Sequence, residues 1–181
     1  MAVTETENRF LEQDDVFLRP VEKEDVEFLR DLVQHPEVRN TIGRLPRPVN
    51  LTQEKEYLEE MAEDDSTAYF LVVFQGERAG NISLHGVEND YRGGEFGISI
   101  DPKYHNRGIG TKAVKMMLKY AFDTLNMHKV RGGYLEHNPA SRRVMEKAGF
   151  QKEGTERDYK YVDGEWKNVI WMSILEDEYY G

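Results

Sequence analysis

The sequence predicts a single α/β (α+β) domain: a central, mixed, twisted sheet of about seven strands flanked by about four helices. Three observations carry this. Residues 68–75, 79–87 and 93–100 are strand-like runs with short connections, which makes an antiparallel meander. Residues 111–125 contain neither Pro nor Gly. They place Ala113, Met117, Tyr120 and Ala121 on one helical face and Lys112, Lys115, Lys119 and Asp123 on the other. Residues 129–135 then return as a strand, and a strand–helix–strand unit of this kind is a right-handed parallel crossover.

Taken in order, residues 1–15 are polar and acidic and lack the apolar core of a signal peptide, so they read as a loose leader to a domain spanning 16–181. Residues 16–19 read as a short strand stopped by Pro20. Residues 23–34 carry Val26, Leu29 and Val33 on one helical face, and His35-Pro36 ends that helix. Residues 41–49 hold two prolines and a glycine and form a loop. Asn50 or Thr52 caps the next helix, which turns Tyr57, Leu58 and Met61 inward. Gly76-Glu77 turns the chain between the first two meander strands, and residues 88–92 connect the second to the third. Residues 139–148 form a helix that opens on Pro139 and stops at Gly149. Residues 150–162 and 165–175 flank Asp163-Gly164, a strong hairpin signal.

Composition excludes several classes. With 181 residues there is one domain and a real core; with no cysteine there is neither disulfide framework nor thiol nucleophile. A net charge of −10 argues against nucleic-acid binding and suits a cationic substrate, although it equally serves solubility. No apolar run reaches membrane length, so a cytoplasmic protein is expected. His85, His128 and His137 have no metal-ligand spacing, and no metal is assigned.

The chemistry concentrates between the third meander strand and the amphipathic helix. Gly108 and Gly110 open that helix; they permit positive φ and close ligand approach, and Arg107 adds a fixed charge. Unpaired amides and the positive dipole end of the helix complete a site for an anion, most naturally a phosphate. No Walker A motif is present. Residues 108–113 match G-x-G-x-x-A superficially, but seven residues separate Ile100 from Gly108, too many for the tight turn of a dinucleotide fold. The segment His105-Asn106-Arg107-Gly108-Ile109-Gly110 resembles [RQ]-x-x-G-x-[GA], with His in place of the usual Gln or Arg.

With Pro102-Lys103-Tyr104 before it, and with Leu125-Asn126-Met127-His128-Lys129-Val130, Asn138-Pro139-Ala140-Ser141-Arg142-Arg143 and Glu146-Lys147-Ala148-Gly149-Phe150 after it, the chain resembles the GNAT superfamily over roughly residues 16–176. The resemblance is greatest to the ribosomal-protein N-terminal acetyltransferases, with the spermidine/spermine acetyltransferases nearby. It implies acetyl-CoA as co-substrate. His105, Asn106, Arg107, Gly108, Ile109, Gly110 and Thr111 would hold its phosphates. The backbone of Ile98, Ser99 and Ile100, on a splayed strand with a bulge at Gly97, would face the pantetheine arm together with Asn138. Glu95 would collect the amine proton, with Glu136 and Glu37 as weaker alternatives, and residues 159–161 and Trp166 could line the acceptor site. The family's usual acid, a tyrosine, is replaced by Met145. Ser141, on the same helical face as Asn138 and Met145, stands in as the group beside the thioester sulfur. The implied acceptor is a protein N-terminal amine. The alternatives are a polyamine or other small cationic amine, a non-catalytic acyl-CoA sensor, or a nucleotide-dependent oxidoreductase. A homodimer is one assembly the resemblance allows.

Overall fold

The computed structural model describes residues 8–42, 47–87 and 90–181. In chain order these give β1 (Leu11–Gln13), β2 (Val16–Pro20), α1 (Val26–Gln34), α2 (Pro36–Arg39), α3 (Leu51–Glu63), β3 (Thr67–Phe74), β4 (Glu77–His85) and β5 (Gly93–Ile100). Then follow α4 (Ile109–Lys119), β6 (Lys129–Leu135), α5 (Pro139–Lys147), β7 (Gln151–Val162), β8 (Glu165–Leu175) and α6 (Glu176–Tyr180). Among the described residues the strands form one sheet in the order β1-β2-β3-β4-β5-β6-β8-β7. Every pair is antiparallel except β5 with β6, which is parallel across α4, as the crossover unit requires. No described helix is long and apolar enough to cross a membrane.

Local chemistry explains most boundaries. Asn50 rather than Thr52 caps α3: its side chain accepts from the Gln53 amide at 3.0 Å, and the Gln53 side chain accepts from the Asn50 amide at 3.0 Å. Asn138 caps α5 on the Ser141 amide at 3.1 Å, with Pro139 in the first turn. Asp163 and Gly164 both adopt positive φ, 50° and 89°, the conformation of a two-residue hairpin turn.

The eighth strand corrects the expected leader. Residues 1–7 lie outside the described residues, but β1 pairs with β2 in register Leu11↔Leu18 to Gln13↔Val16. Phe10 stacks on Phe70 at 5.3 Å, and Lys112 of α4 bonds Asp15 at 2.6 Å and Asp14 at 3.2 Å. Three further segments also differ from expectation. Residues 36–39 form a short helix; the long helix passes at residue 120 into a five-residue π turn, closed by Leu125 N to Tyr120 O at 3.0 Å; and residues 176–180 add a terminal helix. The expected loop at 41–49 and connection at 88–92 fall partly on residues 43–46 and 88–89, outside the described residues.

The sheet divides two apolar layers. On one side Ile82, Leu84, Phe96, Val130 and Tyr134 pack with Ala113, Met117 and Met145 of α4 and α5. On the other, Phe17, Leu71 and Val73 pack with Leu29, Leu32 and Val38 of α1 and α2 and with Leu58 of α3. A charged group is buried at the β2–α1 junction. Asp25, fully buried, accepts from both terminal nitrogens of Arg19 at 2.7 and 2.9 Å and from Arg78 Nε at 2.7 Å.

Candidate active site

The parallel pairing of β5 and β6 stops early. It covers Gly93↔Lys129, Gly94↔Val130 and Glu95↔Arg131 only, after which β6 runs on beside β8 and β5 beside β4. From Phe96 onward the two strands part. The Phe96 ring lies over Gly132, where a Cβ would sit 2.4 Å from it, and Met145 fills the adjoining space. The β6-facing backbone edge of residues 96–100 is therefore not consumed by pairing with β6. A cleft of about 640 Å³ occupies this gap and reaches both faces of the sheet. Ile98, Ser99, Ile100, His105, Asn106, Arg107, Gly108, Ile109, Gly110, Thr111, Asn138 and Ser141 all line it.

At one end stands the start of α4. Gly108 takes φ 77°, a left-handed geometry that glycine alone adopts without strain, and Asn106 precedes it at φ 60°. Gly110 differs. It is helical and lies where α4 meets α5, with a Cβ position at an ordinary 3.4 Å from Val144. The first amides of α4 point into the cleft end with no intrahelical acceptor, which suits an anion. Arg107 rests 5.8 Å from the Tyr104 ring centroid, and Arg143 and Lys147 of α5 also line this end. His105 does not reach freely toward it: its Nε2 lies 3.0 Å from the Ile100 carbonyl and ties the loop back to β5. That carbonyl is thereby engaged, leaving the Ile98 backbone and the Ile100 amide on the strand edge that faces the gap.

In the middle of the cleft, the Asn138 amide donates to Ser141 Oγ at 3.1 Å, so the Ser141 hydroxyl hydrogen is directed elsewhere. Met145 is buried beneath it as packing. Tyr134 does not replace the absent phenol. It is buried beside α5, burial pushes its pKa up, and it lies outside the cleft lining.

The α1–α3 end has a different character. Glu37, Thr41, Tyr57, Tyr69, Asn81 and Ser83 line it, and Glu37 is the carboxylate among the cleft-lining residues described. Glu95 lies outside the lining. It receives Arg131 Nε at 3.1 Å and Nη2 at 2.8 Å, and the two side chains are 42 % and 54 % exposed. Glu136 holds Asn168 through its amide and side chain, both at 3.0 Å, a structural clamp between β6 and β8. Tyr161 and Trp166 form an exposed edge-to-face pair at 5.5 Å on the hairpin, and Tyr159 is exposed beside them; none lines the cleft. Lys160 binds carbonyls of Arg39 and Ile42, and burial lowers its pKa. Gly97 is not a bulge, since the β4–β5 register is continuous there. Its missing side chain instead uncovers Ser83. Among the described residues no His, Cys, Asp or Glu cluster suits a metal ion.

A splayed parallel pair beside a helix start suited to an anion is the arrangement of an acyl-CoA-dependent transferase cleft. Residues 15–151 match the model of the Acetyltransferase (GNAT) domain, and the chain belongs to that family, whose acetyl donor is acetyl-CoA. The chain is 29 % identical to the spermidine N(1)-acetyltransferase of Escherichia coli over 164 residues, 91 % of this chain and 88 % of that protein. It is 25 % identical to the ribosomal protein uS5 alanine N-acetyltransferase of Escherichia coli over 117 residues, 62 % of this chain and 60 % of that one. It superposes on the spermidine N-acetyltransferase of Vibrio cholerae, solved with CoA and spermine, with a TM-score of 0.86 at 24 % identity, covering 93 % and 100 % of the two chains. By coverage the two branches stand in the reverse of the order expected from the motifs: the spermidine enzyme matches 91 % of the chain and the uS5 enzyme 62 %.

Proposed function

We propose that the protein acetylates a primary amine of a small polyamine-type cation. The observation that carries this reading is the electrical division of the cleft. Arg107, Arg143 and Lys147 gather at the α4 end, whereas Glu37 and the rings of Tyr57 and Tyr69 line the α1–α3 end. A polyanionic donor and a cationic acceptor can then enter from opposite faces and meet in the gap between β5 and β6. The match to a spermidine acetyltransferase over 91 % of the chain supports the same acceptor class.

When bound, acetyl-CoA supplies the activated acyl group, and the residues present fit it. The α4 amides and Arg107 receive its phosphates, with Gly108 allowing close approach. The backbone edge of Ile98 and Ile100 and the Asn138 side chain would border its arm. Ser141, held by Asn138, would offer a hydroxyl to the thioester sulfur. Glu95, paired to Arg131 outside the lining, enters this reading as a flanking charge.

Free-thiol release from acetyl-CoA with spermidine, spermine, a monoamine and an alanine-terminated peptide tests the acceptor. Polyamines are expected to exceed the peptide in kcat/KM by at least about tenfold, which needs only about 1.4 kcal/mol of discrimination. A preference for the peptide overturns the proposal. Acetyl-CoA at about 100 times its Kd should add about 2.7 kcal/mol of stability, and NAD should add none.

A further inference from the structure

On the cleft-facing side of β4, polar side chains stand two residues apart: Asn81, Ser83 and His85, with Ile82 and Leu84 facing the opposite core. Asn81 donates to the Tyr69 hydroxyl. The other two belong to a chain of hydrogen bonds that crosses from β4 to β3. His85 Nε2 lies 3.0 Å from Ser83 Oγ, and His85 Nδ1 lies 3.0 Å from Thr67 Oγ1. Thr67 and His85 are cross-strand partners, so the sheet register fixes this geometry. Thr67 Oγ1 in turn donates to Asp64 Oδ2 at 2.7 Å, and the Ser66 hydroxyl and amide donate to Asp64 Oδ1 at 2.6 and 2.9 Å. The Ser66 and Thr67 hydroxyls, followed by the Ser66 amide, hold the Asp64 carboxyl below its usual range.

The direction of each bond follows from the far end. Asp64 is a carboxylate and only accepts, so the Thr67 hydrogen is committed to it. Thr67 Oγ1 must then accept from His85 Nδ1–H. The neutral ring therefore carries its proton on Nδ1 and turns the lone pair of Nε2 toward the Ser83 hydroxyl. Ser83 is only 8 % exposed, yet it lines the cleft. It is reached because Gly97, its partner on β5, has no side chain; a Cβ there would lie 3.3 Å from Ser83 Oγ.

We infer that Ser83 and His85 form the proton exit for the acceptor amine, with Thr67 and Asp64 setting the ring's tautomer. The inference rests on the reading that an amine is acetylated in this cleft. An arriving ammonium passes one proton to Ser83 Oγ as the Ser83 hydrogen moves to His85 Nε2. This leaves a neutral amine with its lone pair available and an imidazolium whose Nδ1–H stays on Thr67. The half-buried ring then sheds the Nε2 proton to solvent and returns to its starting tautomer. An alkylamine is almost wholly protonated at neutral pH, with a pKa near about 10.4, so such an exit is what the reaction needs from the protein. The other ionisable groups around the ring are Asp64, Tyr69 on β3 and Glu95, its register partner on β5, which is bound to Arg131. Ser83 touches the substrate in this arrangement; His85 acts through it.

The test is the pH profile of kcat/KM with spermidine for the parent, His85→Gln and Ser83→Ala. Gln keeps a hydrogen-bonding group beside Ser83 but takes no proton in this range. The parent should reach its plateau at a lower pH than either variant, and both variants should climb on toward the amine's own value, about 10.4. At pH 7 the loss should be about 10²-fold. With an acceptor whose amine titrates near about 8 the loss should shrink. Acetyl-CoA affinity, read by calorimetry, should be unchanged in both variants and reports that they fold. Independently of turnover, nitrogen chemical shifts of the His85 ring should give the Nδ1–H form. An Nε2–H ring, or variant profiles parallel to the parent's, overturns the relay. A parent inactive on polyamines but active on the peptide would instead remove the acceptor reading, and the same variants would then decide the relay on the peptide.

Discussion

Two carboxylates, Asp25 and Asp64, anchor polar networks on the same sheet, and they differ in what answers them. Asp25 is fully buried and bound by two guanidinium groups and the Glu22 amide. Burial pushes its pKa up, but the bonds from Arg19, the Glu22 amide and Arg78 together hold it below the usual value. A guanidinium stays charged at any ordinary pH, so this network can fix a charge but cannot hand a proton on. Asp64 is answered by hydroxyls, then an imidazole, then a hydroxyl at the cleft wall. Each of those groups both gives and accepts hydrogen bonds. The same acidic side chain is an anchor in one place and the end of a relay in the other, and the identity of its donors decides which.

The sharpest separation should come from Asp25→Asn. It leaves Arg19 and Arg78 facing an uncharged amide in a dry site, and breaking such a group costs about 3–5 kcal/mol. For a chain of this size that lowers Tm by about 6–20 °C in a thermal scan. The activity of the folded fraction should be near that of the parent, whereas Asp64→Asn should show the opposite pattern, with Tm barely moved and turnover reduced at low pH. The sign of the acid response follows from the same bonds. A carboxylate depressed in the folded state contributes stability that is fully present above its unfolded value, about 3.9, and is lost as pH falls through the folded value. The parent should therefore lose Tm steeply below about pH 4, and Asp25→Asn should lose less over that interval.

What could be read in advance divides along a similar line. The glycine-rich entry to α4 is legible because its signals are local: two glycines, an arginine and a helix periodicity within a dozen residues. The seven strands and the parallel crossover were legible from apolar runs and short turns. β1 was not, because Leu-Glu-Gln has no strand pattern of its own; it is held by Phe10 on Phe70 and by Lys112 on Asp14 and Asp15, contacts distant in sequence. The relay was missed for the same reason, since Asp64, Thr67, Ser83 and His85 meet only through the β3–β4 register. One signal was present: three polar residues at period two in a strand whose alternate positions are Ile82 and Leu84. A glycine within a strand suggests a bulge, whereas Gly97 keeps the register and leaves Ser83 uncovered.

Ser141→Ala comes next in size and probes the cleft's middle. Asn138 already occupies one lone pair of this hydroxyl, which leaves its hydrogen for the proposed donation to the sulfur. Turnover should fall by about 10²-fold with acetyl-CoA affinity unchanged, the pattern of an interaction made mainly in the transition state. Equal loss in binding and turnover would make Ser141 a positioning group only. Gly108→Val should be milder. A β-branched residue at φ 77° costs about 1–2 kcal/mol, and calorimetry should find acetyl-CoA weakened by about tenfold. Gly110→Ala, whose Cβ meets Val144 at an ordinary 3.4 Å, should be weakened less.

The smallest effect should be that of Glu95→Gln, and it is the one that bears hardest on the comparison. Glu95 is the acid that the resemblance nominates, and it is His85's register partner, so it is the natural competitor for the amine proton. Its geometry argues otherwise. Both its bonds from Arg131 go to one carboxylate oxygen, the pair is exposed, and no atom of Glu95 lines the cleft. An exposed pair of this kind contributes at most about 1 kcal/mol, so the amide should cost less than about fivefold in kcat/KM. The dependence on pH decides the matter. A flanking charge changes the rate by nearly the same factor at every pH, whereas a proton acceptor is missed more as the amine becomes more fully protonated. If the Glu95→Gln loss grows toward low pH while that of His85→Gln stays level, the proton leaves through Glu95, and the Asp64 network is then an anchor of the same kind as that of Asp25.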